Sequence, residues 1–380
     1  MLKILLESFN VLLLEWYDFA IFSYFSEHIN TYLDSSDDYL AQKIYFFSFL
    51  SRPLGALFFG YIFDKWNKKT ALKAIVIMLI FSSAMISCTP SIVGISTVWF
   101  TLARLLQCFA LAGGYGSSFI YVYSNLKDNG NRHFIMSIIS SSFLYGILLG
   151  EFVFLTLKLC LPQNIFLQYG WRIAFSLATV IGIIWLQTEK KEKLEDNTVQ
   201  TFDTTKKTWN LQIFVLTVPV LLLDVGGYHL LISILDLNLY IPLYIRFIQK
   251  IIIIILVALL GKIMDYYQEI YPTISFNKIM ITIASILFVI SKYLSLFTII
   301  QLTPMMLSFV YVSLASYITQ QCLEYVNPAQ LLGILINGAA AVMGFLLTDL
   351  RPNDVPSTLL FIGIGSLLSV WFSYFINTKK

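Results

Sequence analysis

The sequence predicts an all-α membrane protein with twelve transmembrane helices in two halves of six. Three observations support this prediction: the overall hydrophobicity, apolar segments of bilayer length, and a charged segment that separates two sets of them. The chain has 380 residues, of which 58% are hydrophobic and 12% charged, and its mean hydropathy is +0.76. Soluble domains have about twice that share of charged residues. A water-soluble core would not bury this much apolar surface.

Apolar segments of about 20 residues cross a bilayer as helices. The first six lie near residues 8–27, 43–64, 71–89, 95–124, 134–158 and 169–187. The second six lie near residues 211–235, 240–264, 275–293, 296–320, 330–349 and 356–376. The expected organisation is therefore an N-terminal half (1–187), a cytoplasmic linker (188–210) and a C-terminal half (211–380).

The distribution of Lys and Arg predicts the orientation. If both termini are cytoplasmic, the first outer loop is acidic, with Asp34, Asp37 and Asp38. Most basic residues then fall in inner loops or the tail: Lys65, Lys68, Lys69, Lys73, Lys127, Arg132, Lys190, Lys191, Lys193, Lys206, Lys207, Lys262, Lys278, Lys379 and Lys380. This is the positive-inside pattern. It predicts a multi-pass protein of the cytoplasmic (inner) membrane with both termini in the cytoplasm.

The remaining composition argues against several classes of protein. The net charge of +3 needs no nucleic-acid partner, because the positive-inside bias explains most of it. The three histidines are far apart, and the four cysteines have no metal-ligand spacing. No nucleophile–base set or nucleotide-binding loop is readable. We expect no enzyme activity, no cofactor and no metal, and we interpret the N-terminus as the first span.

The two predicted halves resemble each other. "GYIFDKWNKK" begins at Gly60 and "GKIMDYYQE" begins at Gly261, so both have Gly-x-x-x-Asp at a cytoplasmic membrane exit. "LLLE", ending at Glu15 in span 1, is similar to "LLLD", ending at Asp224 in span 7. Two homologous halves are the arrangement of many secondary transporters.

Longer motifs in the first half resemble a known family. "RPLGALFFGYIFDKWNKKTAL" is similar to the loop signature of the major facilitator superfamily. "LEWYDF", "LARLLQCFALAGGYGSS" and "GWRIAF" narrow the resemblance to the metabolite:proton symporters, which include proline/betaine, α-ketoglutarate, citrate and shikimate transporters. The resemblance implies the major facilitator fold and a proton-driven symporter that alternates access around a central cavity. We expect a monomer.

The sequence departs from this family in four ways. Asn67 stands where the loop motif has Gly, although Asn tolerates left-handed backbone better than most residues. Gly114 stands where the family commonly has an acid. No basic residues follow Asp265 in the second motif, and the loops are short. The change at Gly114 would either shift proton coupling onto other acids or abolish it.

Glu15 and Asp18 are the candidate acids, and their spacing places them on one helical face. An acid at mid-membrane costs at least a few kcal/mol on insertion scales. It is retained by facing a wet cavity, pairing with a cation, or binding a proton, which burial and a neighbouring like charge both favour. By resemblance the pair faces the cavity. The alternative is a structural pair bound to a neighbouring helix.

Arg104 is always charged and expensive in lipid, so we expect it to meet an acid or a carboxylate substrate. Tyr115 and Asp224 are further candidates for the cavity. Arg246 and Lys250, one turn apart, would attract an anion or, for Arg246, extend to the membrane surface.

By resemblance, the loop motif forms a gate in which Asp64 holds the two halves together in the outward-open state. An acid at a helix end can bind the N-terminus of a facing helix, and glycines let helices approach closely. The gating residues predicted from both halves are Arg52, Gly55, Gly60, Asp64, Lys65, Lys68, Lys69, Gly261 and Asp265.

The predicted function is the proton-coupled import of a small zwitterionic or carboxylate metabolite. Two alternatives stay open: an uncoupled uniporter or exchanger of the same fold, and a non-transporting membrane sensor or degenerate paralogue.

Overall fold

The computed structural model describes residues 2–33, 40–92, 94–126, 130–190, 207–215, 217, 221, 223, 243–271, 275–291, 293, 296–347, 362–368 and 371. We call the helices before residue 191 the N-terminal half and those after residue 242 the C-terminal half. The described helices of the N-terminal half are α1 (Leu2–Tyr32), α2 (Leu40–Ser48), α3 (Arg52–Lys65), α4 (Lys68–Ser87), α5 (Ile95–Asn125), α6 (Arg132–Cys160) and α7 (Gln163–Lys190).

The C-terminal half contains the described helices α8 (Leu243–Ile270), α9 (Phe276–Ser291), α10 (Leu296–Leu323) and α11 (Pro328–Leu347). Residues 362–368 are also helical. Most of the predicted spans 211–235 and 356–376 lie outside the described residues. The predicted span 43–64 consists of α2, a 3₁₀ turn at Phe49–Ser51, and α3.

Six helices of the described residues are long and apolar enough to cross a membrane: Lys68–Ser87, Ile95–Asn125, Arg132–Cys160, Gln163–Thr188, Ile245–Ile270 and Leu302–Leu323. Helix α1 is not among them, and it has three buried acids, Glu7, Glu15 and Asp18. It nevertheless packs against α5, α6 and α7. Its acids therefore lie inside the protein and not against lipid.

Local sequence explains where the helices of the loop motif begin. Pro53 lies in the first turn of α3, where its missing N–H leaves no carbonyl unsatisfied. Asn67 precedes α4, and its side chain accepts a hydrogen bond from the backbone N–H of Thr70 at 3.1 Å. This is an N-cap. Asn67 has a φ of −126°, so it does not use the left-handed backbone that a motif glycine would permit.

The two halves pack together along α3 and α11, α6 and α8, α6 and α10, and α5 and α11. Glycines permit the closest approaches. A Cβ at Gly60 of α3 would meet the backbone of Gln330 in α11, and one at Gly116 of α5 would meet the backbone of Ala329 and Gly333. Small residues let helix backbones touch, which is a main source of helix association in membranes.

The end of the predicted linker is bound to the C-terminal half. The backbone N–H of Lys207 donates to the carbonyl of Glu324 at 3.0 Å, and the N–H of Val326 donates to the carbonyl of Lys207 at 3.0 Å. The indole N–H of Trp209 donates to the carbonyl of Val326 at 2.6 Å. These contacts attach residues 207–209 to the loop between α10 and α11.

Candidate functional site

Asp18 of α1 lies in a polar cluster inside the N-terminal half. The residue is completely buried. The hydroxyl of Ser83 in α4 donates a hydrogen bond to Asp18 Oδ2 at 2.7 Å. The amide of Gln107 in α5 donates to the same hydroxyl oxygen at 3.2 Å. The carboxylate is therefore held by two neighbouring helices of its own half.

Arg104 closes this cluster. Its Nη1 donates to the side-chain oxygen of Gln107, and its guanidinium is near enough to attract the carboxylate of Asp18. The guanidinium carbon lies 4.2 Å from the ring centroid of Phe22, in cation–π contact. A continuous chain of hydrogen bonds thus runs from Arg104 through Gln107 and Ser83 to Asp18. Arg104 is thus linked to an acid through two side chains.

Glu15 lies one turn before Asp18 and is 1% exposed. A Cβ at Gly114 of α5 would collide with the Glu15 carboxylate, so the absence of a side chain at residue 114 makes room for it. Arg52 attracts the same carboxylate, and its guanidinium carbon lies 4.1 Å from the ring centroid of Phe49. Glu15 therefore occupies the space that a side chain at residue 114 of α5 would need.

Aromatic side chains from four helices meet where the halves join; we call them the aromatic cluster. The ring of Trp16 lies 6.1 Å from that of Tyr115 and 5.4 Å from that of Phe143. The ring of Phe143 lies 4.5 Å from that of Tyr311 in α10. Tyr115, a predicted cavity residue, thus belongs to a group that includes both halves. Asp224 lies outside the described residues.

Asp64 connects the two halves at the predicted cytoplasmic end. Its Oδ1 accepts a hydrogen bond from the backbone N–H of Ala329 at 3.2 Å, and its Oδ2 accepts one from Gln330 at 2.9 Å. Both N–H groups lie in the first turn of α11. A carboxylate here satisfies donors that have no partner within the helix, and it faces the positive end of the helix dipole.

Asp265 makes the corresponding contact in the opposite direction. Its Oδ1 accepts from the backbone N–H of His133 at 2.8 Å, and its Oδ2 accepts from Phe134 at 2.9 Å, at the start of α6. A Cβ at Gly261 would meet Phe134 and Ser137. In each half, therefore, a glycine admits a helix of the other half, and an aspartate four residues later caps it. The missing basic residues after Asp265 do not prevent this contact.

The other predicted gating residues have varied positions. A Cβ at Gly55 would meet the backbone carbonyl of Phe109, so this glycine fits α3 against α5 within one half. The ammonium of Lys68 lies 5.9 Å from the ring centroid of Tyr121. Lys65 and Lys69 are half-buried at the same end.

Two further contacts involve Arg172 and Glu151, which the sequence did not predict as site residues. Arg172 of the "GWRIAF" motif donates to the carbonyls of Ser87 and Thr89, each at 2.7 Å, and so caps the C-terminus of α4. Glu151 of α6 pairs with Lys250 of α8 at 2.8 Å. Glu151 is the acid within the apolar span 134–158, and that isolation was the available signal.

Comparison with known proteins agrees with this architecture. Residues 4–188 match the family model "Sugar (and other) transporter". The chain superposes on the proton:xylose symporter XylE bound to 6-bromo-6-deoxy-D-glucose with a TM-score of 0.78 at 14% identity, covering 98% of this chain and 95% of XylE. For the inward-open conformation of the xylose transporter XylE from E. coli the TM-score is 0.67 at 14% identity, covering 98% and 95% of the two chains. The fold is that of the major facilitator superfamily.

Two curated relatives each match about half of the chain. The alpha-ketoglutarate permease of Escherichia coli (strain K12) is 32% identical over 197 residues, which are 49% of this chain and 45% of the permease. A putative proline/betaine transporter of Staphylococcus aureus (strain COL) is 29% identical over 195 residues, 49% of this chain and 41% of the relative. The chain thus matches less than half the length of these relatives. It is similar to proline/betaine and alpha-ketoglutarate transporters, which are not enzymes, and it has the fold of major facilitator transporters.

Proposed function

We propose that the chain is a monomeric secondary transporter that imports a small zwitterionic or carboxylate metabolite together with protons. It works by alternating access in a cytoplasmic (inner) membrane, with both termini in the cytoplasm. The names of the relatives support the substrate class. The observation that carries the proposal is the reciprocal pair of caps, in which Asp64 binds α11 and Asp265 binds α6.

These caps are compatible with alternating access, because they join the two halves by hydrogen bonds that can break and re-form. Each half contributes one aspartate and one helix N-terminus, so both contacts are released together when the halves separate at that end. The organisation into two homologous halves, 1–187 and 211–380 around the linker 188–210, is part of the proposal. Rocking of one half against the other then opens the opposite ends in turn.

Asp18 is the proposed proton carrier. It is buried, its Oδ2 is bound by Ser83, and Arg104 is linked to it through Gln107. Protonation of Asp18 would weaken its attraction for Arg104 and so couple proton binding to a rearrangement within the half. Glu15 is the second acid of the proposed coupling site, because Gly114 leaves it the room.

An uncoupled uniporter or exchanger is the second candidate function, because residue 114 has no carboxylate. Reconstitution distinguishes the two. Uptake of externally added, labelled proline, betaine, α-ketoglutarate or citrate into proteoliposomes is measured with and without an imposed proton gradient. Accumulation that needs the gradient supports proton symport, and equilibration that ignores it supports the uniporter. Binding without flux would favour a sensor and contradict the proposal.

A further inference from the structure

Glu151 of α6 and Lys250 of α8 form an ion pair between the two halves. The ammonium nitrogen lies 2.8 Å from Glu151 Oε2, and the two side chains are 0% and 1% exposed. The hydroxyl of Tyr24 in α1 lies 3.5 Å from the same nitrogen. The pair is therefore completely enclosed where the N-terminal and C-terminal halves meet.

Such a pair is a poor way to stabilise a fold. Removing two charges from water costs about as much as their attraction returns, and apolar residues of similar size often do as well. In a membrane protein the unfavourable term is larger still, and ionisable residues inside the bilayer mark substrate or ion pathways. Substrate sites of transporters with two repeats lie near the bilayer midplane at the boundary between the repeats. The Glu151–Lys250 pair is at such a boundary.

The aromatic cluster shares this boundary and the same face of α6. Phe143 precedes Glu151 by about two helical turns, roughly 12 Å along the axis, so both project from one face. Phe143 meets Tyr311 of the C-terminal half, as Glu151 meets Lys250. The face of α6 that contacts the C-terminal half is therefore aromatic at Phe143 and charged at Glu151.

We propose that Glu151 and Lys250 bind the two charged groups of a zwitterionic cargo. The carboxylate of the cargo pairs with Lys250, its positively charged nitrogen pairs with Glu151, and its apolar part lies toward the aromatic cluster. The inference rests on the proposed function and narrows its substrate class. A zwitterion adds no net charge, so every buried charge keeps a partner. A dicarboxylate would leave Glu151 without a cation and would crowd three carboxylates around Lys250.

The polar cluster of Asp18 differs from this pair. Ser83, Gln107 and Arg104 all belong to the N-terminal half, and their hydrogen bonds link them to one another. Rocking of the halves leaves these contacts within one rigid unit, whereas it separates Glu151 from Lys250. The pair between the halves is therefore the one that a cargo can replace.

The test is equilibrium binding of labelled glycine betaine, proline and α-ketoglutarate to the purified full chain in detergent. The variants are Glu151→Gln, Lys250→Met and the charge exchange Glu151→Lys/Lys250→Glu. We expect the parent to bind a zwitterion in preference to α-ketoglutarate, and each single variant to lose affinity for it by about tenfold or more. The exchange should restore the melting temperature, because the ion pair is re-formed. It should not restore the affinity, because the two charged groups of the cargo would have to exchange places and its apolar part would no longer lie toward the aromatic cluster.

The exposed ion pair Lys207–Glu324 supplies the control, since its side chains are 46% and 53% exposed. Lys207→Met and Glu324→Gln should leave affinity unchanged. Full affinity in the charge-exchange variant would show that the pair is purely structural and would overturn the inference. A parent protein that binds α-ketoglutarate better than the zwitterions, or that binds neither zwitterion, would also overturn it. Binding as expected without proton-driven uptake would contradict the proposed function alone.

Discussion

The carboxylate of Glu15 in α1 occupies the space into which any side chain at Gly114 of α5 would project. The two positions are far apart in sequence, yet their side chains compete for one space in the folded protein. A side chain at residue 114 would therefore require the end of the Glu15 side chain to move. In this chain an acid of α1 thus reaches the place that a side chain at residue 114 would occupy.

Gly114→Ala should destabilise the protein. The added methyl group displaces the buried Glu15 carboxylate, and overpacking of a tight interior costs about 1–3 kcal/mol; we expect the low end of this range, because the Glu15 side chain can change rotamer. Thermal unfolding of the purified protein in detergent measures the loss as a lower melting temperature. Combining the change with Glu15→Ala should recover part of it, because the colliding group is removed.

Gly338→Ala in α11 is the matched control, since a Cβ at that position meets no atom within 4 Å. It should leave the melting temperature unchanged or raise it, because Ala restricts the unfolded chain more than Gly does. Equal melting temperatures for Gly114→Ala and Gly338→Ala would contradict the collision.

Asp64→Asn should insert normally but reduce transport by about tenfold or more. The amide has one acceptor oxygen and no charge, whereas the carboxylate accepts from both Ala329 and Gln330. Hydrogen bonds to charged groups contribute about 1.5–3 kcal/mol, and 1.4 kcal/mol corresponds to a factor of ten in an equilibrium. Initial uptake rates, normalised to inserted protein, measure the effect. Normal turnover would rule out a gating role.

Asp265→Asn should have an effect similar to that of Asp64→Asn, because it weakens the equivalent cap on His133 and Phe134. The double variant should be less active than either single variant, since the closed end then has neither cap. Glu324→Gln, exposed at the same end, controls for loss of negative charge alone. An Asp265→Asn variant with parental uptake would limit the gate to Asp64.

Asp18→Asn should abolish proton-driven accumulation while substrate exchange is partly retained. The amide keeps a neutral, hydrogen-bonding group beside Ser83 but cannot release a proton. Exchange requires only that the loaded site reorient. Glu15→Gln, one turn away, is the comparison. If Asp18 is purely structural, accumulation, exchange and protein level should fall together. Accumulation like that of the parent would exclude Asp18 as the coupling acid.

Tags inserted at residues 36 and 200 should be accessible from opposite sides of the membrane, with residue 200 in the cytoplasm. This follows from the positive-inside pattern and one crossing per predicted span. Impermeant labelling of intact cells before and after permeabilisation checks it. Labelling of both tags from the same side would overturn the predicted number of spans.

The sequence by itself determined the class of fold. Bilayer-length apolar segments, the Lys and Arg bias and the repeated Gly-x-x-x-Asp are local or periodic properties that the chain carries along its length. They predict the helices, the side of the membrane on which each loop lies, and two similar halves. The observed major facilitator fold confirms the fold class. The candidate acids Glu15 and Asp18 were also identifiable, because a charge inside an apolar segment needs a reason.

Only the tertiary structure decided the partners. Three contacts depend on helices that are distant in sequence. Asp64 caps α11, Arg104 is linked to Asp18 through Gln107 and Ser83, and Glu151 pairs with Lys250. Helical periodicity determines which residues share a face but not which helix that face meets. The neighbour is set by close packing, here by glycines such as Gly60 and Gly261 that admit a particular backbone. The pairing of charges follows from that packing.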